Sequence, residues 1–314
     1  MHVFDGRVTL DDREFLELYL RGFDYKTSGL SYTSLFMWRE INHISWEQIG
    51  DYLCITGSDN LNPVMGDPFM FPPLTRTGVY EPESLRRTIL EAKARFEAQD
   101  QSFVMKLVPF HMLDILSEAM PNGLIFEADR PNFDYVYDTK ELIDLKGRAY
   151  HSKKNHLNYF YNHYKYEYCA MTPDMAGDAM AFIRAFNERK SPEDPHEHEL
   201  LELEERAMRD VFLNLDKVGY LSGAISIGGR IEAISIGGRL GTKTVTVHVE
   251  KANTEYRGLY QAINNEFCKA MAANVKRINR EEDMGIPGLR KAKLSYNPAK
   301  FIEKYTVLLK KEKI

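Results

Sequence analysis

Apolar residues recur at helical spacing in several stretches of the chain, separated by segments that alternate or run continuously apolar as strands do. Residues 9–21 predict a helix, with Thr9 as N-cap and Phe15, Leu16, Leu18, Tyr19 and Leu20 on its apolar side. Strand-like, aromatic-rich segments follow at 33–38, 43–46 and 51–56, before a proline-rich stretch through Pro63, Pro68, Pro72 and Pro73 that reads as loop or edge. Residues 81–99 form a second helix opened by Pro82. A strand at 103–108, a short helix at 111–119 and strands at 123–127 and 133–137 complete a unit ending near residue 140. Next, Leu157, Phe160, Tyr161 and Tyr164 lie at i, i+3, i+4 and i+7, one stripe of a linker helix over about 150–165. Residues 173–190 read as a helix, and the acidic stretch 191–210 as a loop entering another. Strands follow at 220–227, 231–236 and 244–249. The first two share Ala-Ile-Ser-Ile-Gly-Gly-Arg at 224–230 and 233–239, and Gly228-Gly229 between apolar runs is a hairpin signal. Leu259, Ile263, Phe267, Ala270 and Met271 stripe a helix. A strand at 275–279, a helix at 289–296 and a strand at 305–309 close the chain.

This alternation in 314 residues predicts an α/β (α+β) protein of two domains, at 1–140 and 141–314. The three cysteines, Cys54, Cys169 and Cys268, are far apart and in no metal-ligand spacing, which points to a reducing compartment; with no export signal at the N-terminus, the expected localisation is cytoplasmic. No window reaches the roughly 18–20 apolar residues of a membrane span. A net charge of −5 opposes generic nucleic-acid binding, so any polyanion must meet a local basic patch.

The order of elements from residue 174 onward looks like the GNAT acyltransferase fold. Lys146-Gly-Arg-Ala-Tyr-His-Ser-Lys-Lys-Asn-His156, Asn279-Arg-Glu-Glu-Asp-Met-Gly285 and Gly288-Leu-Arg-Lys-Ala-Lys-Leu-Ser-Tyr296 resemble a bacterial family related to the C-terminal catalytic domain of phosphatidylglycerol lysyltransferase. Ser34-Leu-Phe-Met-Trp38 and Phe71-Pro-Pro73 extend the match over nearly the full length. The resemblance implies a tandem of two GNAT-like domains with mixed, mostly antiparallel sheets, as in Fem-type aminoacyltransferases, with the second domain carrying the site. It implies aminoacyl-tRNA as donor and an amine or lipid headgroup as acceptor. CoA-dependent members of the superfamily hold the pyrophosphate on Gln/Arg-x-x-Gly-x-Gly/Ala at a helix start. Aligned on Gly258, this chain has Glu255 and Tyr260, which disfavours CoA, and no other cofactor is expected.

The chemistry concentrates at 279–298, where three acids, four bases and a tyrosine surround one strand-to-helix turn. Aminoacyl transfer needs a base for the acceptor, donors for an oxyanion and positive charge for donor phosphates. Glu281, Glu282 and Asp283 are base candidates at a strand end, where open α/β sheets bind ligands; otherwise they cap the next helix or pair with Arg290 and Lys291. Arg290, Lys293 and Asn297 share one helix side, as a cationic ridge or a solvated face. Tyr296 is a proton donor or a buried ring. Lys153, Lys154, Asn155 and His156 are set to grip phosphate or to dock the domains. Arg257 opens a helix as an anion site or a plain cap. Asn279, Arg280 and Glu250 complete the substrate-binding candidates, with Lys251 beside them. His196 and His198 have HxH spacing without a third ligand, so no metal is expected. The expected function is an acyltransferase; the alternatives are a ligand-binding protein on the same scaffold and a CoA-dependent N-acetyltransferase.

Overall fold

The computed structural model describes residues 2–58, 66–189 and 195–310. The chain forms two compact units, one of residues up to Phe133 together with those from Ile302, the other Asp134–Phe301. The division differs from the one expected at 140/141. The segment read as the first unit's last strand belongs to the second, and the closing strand returns to the first.

In the first unit the elements are β1 (Gly6–Arg7), α1 (Arg13–Leu20), α2 (Tyr32–Trp38), β2 (Ser45–Ile49), β3 (Tyr52–Ser58), β4 (Pro68–Met70), β5 (Leu74–Thr75), α3 (Pro82–Glu97), β6 (Met105–Pro109), α4 (Leu113–Ala119) and β7 (Leu124–Ala128). Its sheet has the order β1-β2-β3-β4-β6-β15-β7, where β15 is Lys304–Leu309 and β5 pairs off β3. Helix α3 forms where the pattern placed it: Glu81 accepts from the Ser84 amide, Pro82 opens the first turn, and Leu85, Ile89, Ala92 and Phe96 are buried along one stripe. Residues 33–38, read as a strand, are instead helix α2, capped by the Ser31 hydroxyl on the Ser34 amide. All of its residues but Trp38 are buried, and a helix buried nearly all round shows no amphipathic period.

The second unit continues with β8 (Asp134–Asp138), α5 (Thr139–Asp144), α6 (His151–His163), β9 (Glu167–Ala170), α7 (Ala176–Glu188), α8 (Pro195–Leu213), α9 (Leu215–Val218), β10 (Leu221–Ile227), β11 (Arg230–Leu240), β12 (Thr244–Ala252), α10 (Leu259–Met271), β13 (Arg277–Asn279), α11 (Pro287–Leu294) and β14 (Lys300–Ile302). Its sheet runs β14-β8-β13-β12-β11-β10-β9. The β10–β11 hairpin turns on Gly228-Gly229, both at positive φ, which gives a two-residue connection the right-handed twist of its strands. Helix α10 covers one face, burying Ala262, Ile263 and Phe267 against Val245, Val247 and Ile278, with Leu157 and Phe160 of α6 in the same core. On the other face Lys251 of β12 bonds Glu204 of α8 at 2.9 Å.

The α6–α10 contact is set at Gly258, the N-cap of α10, whose φ is +88°. A Cβ there would lie 2.1 Å from the His156 carbonyl oxygen. Gly258→Ala is therefore expected to cost roughly 2–5 kcal/mol, from left-handed strain and the clash together. Urea unfolding with a midpoint near that of the wild type would remove this account.

Candidate active site in the second unit

The site is built where two parallel strands part. β12 and β13 pair from Thr244–Arg277 to Thr246–Asn279. Beyond Asn279 the chain turns to β8, the Arg280 amide donating to the Tyr135 carbonyl and the Tyr135 amide to that of Glu281. β12 continues along β11 to Ala252. In that ladder Ile236 faces Val249 and Gly237 faces Val247, so His248 is an extra residue, a β-bulge. The bulge exchanges the faces of the strand. Val245 and Val247 lie in the core under α10, and after His248 it is Glu250 and Ala252 that turn there: Glu250 accepts from Asn264 of α10 at 2.8 Å.

Two links cross from the departing chain to β12. Arg280, on the same strand face as Ile278, donates from Nη2 to Glu250 at 2.8 Å. Burial, the largest single influence, opposes its charge, but the Glu250 carboxylate together with Tyr137, Tyr296 and Cys268 more than offsets burial and holds the guanidinium charged. Its Cζ lies 4.9 Å from the Tyr296 ring centre and 5.8 Å from that of Tyr137. Among the described residues its buried Nη1 has no acceptor. The second link joins Glu281 to His248 Nδ1 at 2.8 Å. Glu281 is at φ +57°, and the turn is held by Asn279, which accepts from the Glu281 amide and donates to Asp134. The His248 ring is fully buried, while the Glu281 carboxylate is 16% exposed.

Lys153 reaches the same centre from α6. Its Nζ lies 4.5 Å from the Tyr296 ring centre, and burial with the nearby Arg280 lowers its pKa. Tyr296 is itself buried, which pushes its phenol well above the usual range, against the nearby Arg280 charge and a hydrogen bond with Gln261. It stays protonated at neutral pH and is a donor, not a base.

Several expected roles change. Asp283 is fully buried and accepts from Tyr135 Oη at 2.5 Å, from Arg290 Nε and Nη2 at 2.8 and 2.9 Å, and from the Gly285 amide at 2.9 Å. Burial raises its pKa, but these donors win and hold the carboxyl far below the usual range. With its lone pairs committed, it organises the turn and is a poor base. The cationic ridge dissolves for the same reason. Arg290 is tied to Asp283, and Lys293 turns inward to donate to the carbonyls of Arg280 and Glu282, both at 2.5 Å. Asn297 and Lys291 are exposed, and Glu282 is half-buried.

Of the linker-helix candidates, Lys153 alone reaches this centre. Lys154 is exposed and donates to the Asp144 carbonyl, Asn155 lies 3.4 Å from His151 Nδ1, and His156 packs its carbonyl on Gly258. Arg257 lies over the Tyr159 ring at 4.4 Å, and Glu255 pairs with Arg189 at 3.6 Å. Lys251 faces away toward Glu204. His198 pairs with Glu202, and the side chain of His196 lies outside the described residues. The sequence reading missed His248, Tyr137, Gln261 and Asn264. His248 had one available signal, its place two residues before Glu250 on a predicted strand.

Two mixed sheets, the second carrying a bulged strand that parts from a parallel neighbour, give the chain a tandem GNAT-like fold. A tandem GNAT protein from the clavulanic acid biosynthesis pathway superposes with a TM-score of 0.52 at 10% identity, covering 96% of each chain. The chain belongs to the phosphatidylglycerol lysyltransferase C-terminal family, whose profile matches residues 21–308. A conserved protein of unknown function from Bacteroides thetaiotaomicron is 31% identical over 99% of this chain and 100% of its own, with a TM-score of 0.82. L-PGS from Bacillus licheniformis shares the fold at 12% identity and a TM-score of 0.63, over 96% of this chain and 93% of its own. The chain spans about half the length of the curated relative it matches, an uncharacterised protein of Mycoplasmoides gallisepticum, 25% identical over 55% of each. Among the described residues no helix is long and apolar enough to cross a membrane.

Proposed function

We propose that this protein is an acyltransferase that moves an aminoacyl group from an aminoacyl-tRNA-type donor to an amine or hydroxyl acceptor at the parting of β12 and β13. The observation that carries this reading is the pair of consecutive residues Arg280 and Glu281, both turned across the parting strands, one on Glu250 and one on His248. Glu281 is the carboxylate free to take the acceptor's proton, with His248 fixing its position. Arg280 and the nearby Lys153 give that end of the site a positive potential, which favours charge building on the attacked carbonyl oxygen. The protonated Tyr296 phenol adds a donor beside them.

The family and fold support acyl transfer in general, and the start of α10 supports a donor other than CoA. There Gly258 is used to bring the α6 backbone close, and the exposed Glu255 stands beside it. A pyrophosphate would meet a carbonyl and a carboxylate. The test is a transfer assay followed by mass spectrometry, with aminoacyl-tRNA, aminoacyl-adenosine esters and acetyl-CoA offered in turn to amine and phospholipid acceptors. Aminoacyl transfer without acetyl transfer is expected. Catalytic acetyl transfer from acetyl-CoA would overturn the donor reading, and no transfer from any donor would overturn the reading as an enzyme.

A further inference from the structure

The Arg280 centre carries more positive charge and more donors than its protein neighbours use. Lys153 and Arg280 each contribute a unit charge, and Glu250 is the carboxylate bonded to Arg280. That leaves one net positive charge beside a single ring. Glu250 is already shared with Asn264. Among the described residues, the charged group that acts on Lys153 is Arg280, of the same sign. Arg280 Nη1 is buried and has no acceptor among the described residues. A buried donor without a partner costs about 1–3 kcal/mol, more for a charged group, so it marks a place where a ligand atom stabilises the protein.

We propose that Arg280 Nη1 and the Lys153 ammonium form a subsite for one phosphate group of the substrate. A phosphate ester, which carries between about one and two negative charges at neutral pH, offsets the net charge of the centre. Its several peripheral oxygens suit a guanidinium edge and a point-like ammonium approaching from different elements, the turn after β13 and helix α6. The Tyr296 and Tyr137 rings hold the guanidinium in place, so its free edge is preorganised. That the phosphate belongs to a substrate rests on the acyl-transfer reading; the binding of phosphate at this place does not. A soluble phosphate ester and a phospholipid headgroup present the same chemistry, and the probes below separate them.

The experiment is calorimetric titration of the full chain with inorganic phosphate and glycerol phosphate, and a flotation assay with vesicles of equal parts anionic and zwitterionic phospholipid. The wild type should bind at least one probe. Lys153→Gln should weaken that binding about tenfold, and Arg280→Lys, which keeps the charge but loses the fork, should weaken it at least as much. Lys243→Gln, an exposed lysine elsewhere on the unit, should bind as the wild type does. A thermal melt of each variant establishes folding; if Arg280→Lys does not fold, Lys153→Gln decides alone. Binding of soluble esters assigns a small phosphorylated substrate, and binding of vesicles alone assigns a headgroup. Undiminished binding by folded Lys153→Gln, or no binding of any probe, overturns the subsite. Transfer activity without phosphate binding would sink the subsite and leave the acyltransferase reading standing. Phosphate binding without transfer would do the reverse.

Discussion

Glu281→Gln should lower turnover by about 100-fold or more, the range expected when a positioned base is lost, with little change in folding. The amide keeps the size of the side chain and can still accept from His248 Nδ1, so the link across the parting strands survives while proton acceptance does not. Glu282→Gln should change turnover far less, because the link from this turn to His248 is made by Glu281, and the bond from Lys293 to the Glu282 carbonyl is one the substitution leaves intact. The check is single-turnover kinetics on the aminoacyl donor found active, with circular dichroism of each variant. A folded Glu281→Gln that turns over near the wild-type rate would remove the base assignment. If the Glu282 variant failed instead, the base would lie one residue further along the turn.

The largest effect on stability should come from Asp283→Asn. That substitution puts an amide where four donors converge, so at least one donor is left facing another and the charge-assisted bonds to Arg290 are lost. Arg290 is 37% exposed and can recover water, which places the cost near about 3 kcal/mol, the lower end for breaking a buried pair. The pH dependence carries a definite sign. A carboxyl held below its unfolded pKa of about 3.9 contributes fully above that value and loses its contribution as pH falls through the folded pKa. The gap in stability between wild type and variant should therefore stay constant from pH 8 down to about 5 and close only in stronger acid. Urea unfolding at several pH values measures it. A variant within about 0.5 kcal/mol of the wild type at pH 7, the usual scatter of surface changes, would show that Asp283 does not organise the turn.

Much of the architecture was legible because its causes are local. Helix α3 announces itself by a cap, a proline and one apolar stripe, and the stripe of α6 does the same with Leu157 and Phe160. The β10–β11 hairpin follows from two glycines between apolar runs. Helix α2 was not legible, since burial on nearly every side erases the period that separates helix from strand. The place of β8 in the second unit was not legible for a different reason. β8 pairs with β13, and Asp138 bonds Arg277 from 139 positions away, a partner that no local window contains.

The sequence by itself determined that acids, bases and Tyr296 share one connection after a strand, because their order along the chain is a covalent fact. It also placed Lys153 on the polar side of a helix and Glu250 near a strand end. Only the tertiary structure decided which of these groups meet. The bulge at His248 turns Glu250 toward Arg280, and pairing of residues 280 and 281 with β8 pulls them off β12. Asp283 is thereby spent on Arg290 and Tyr135, Lys293 on backbone carbonyls, and Glu281 is left at the opening with His248 behind it. The physical reason is that charge is read by distance and burial. Three adjacent carboxylates look alike along a chain and become different groups once each has its own neighbours.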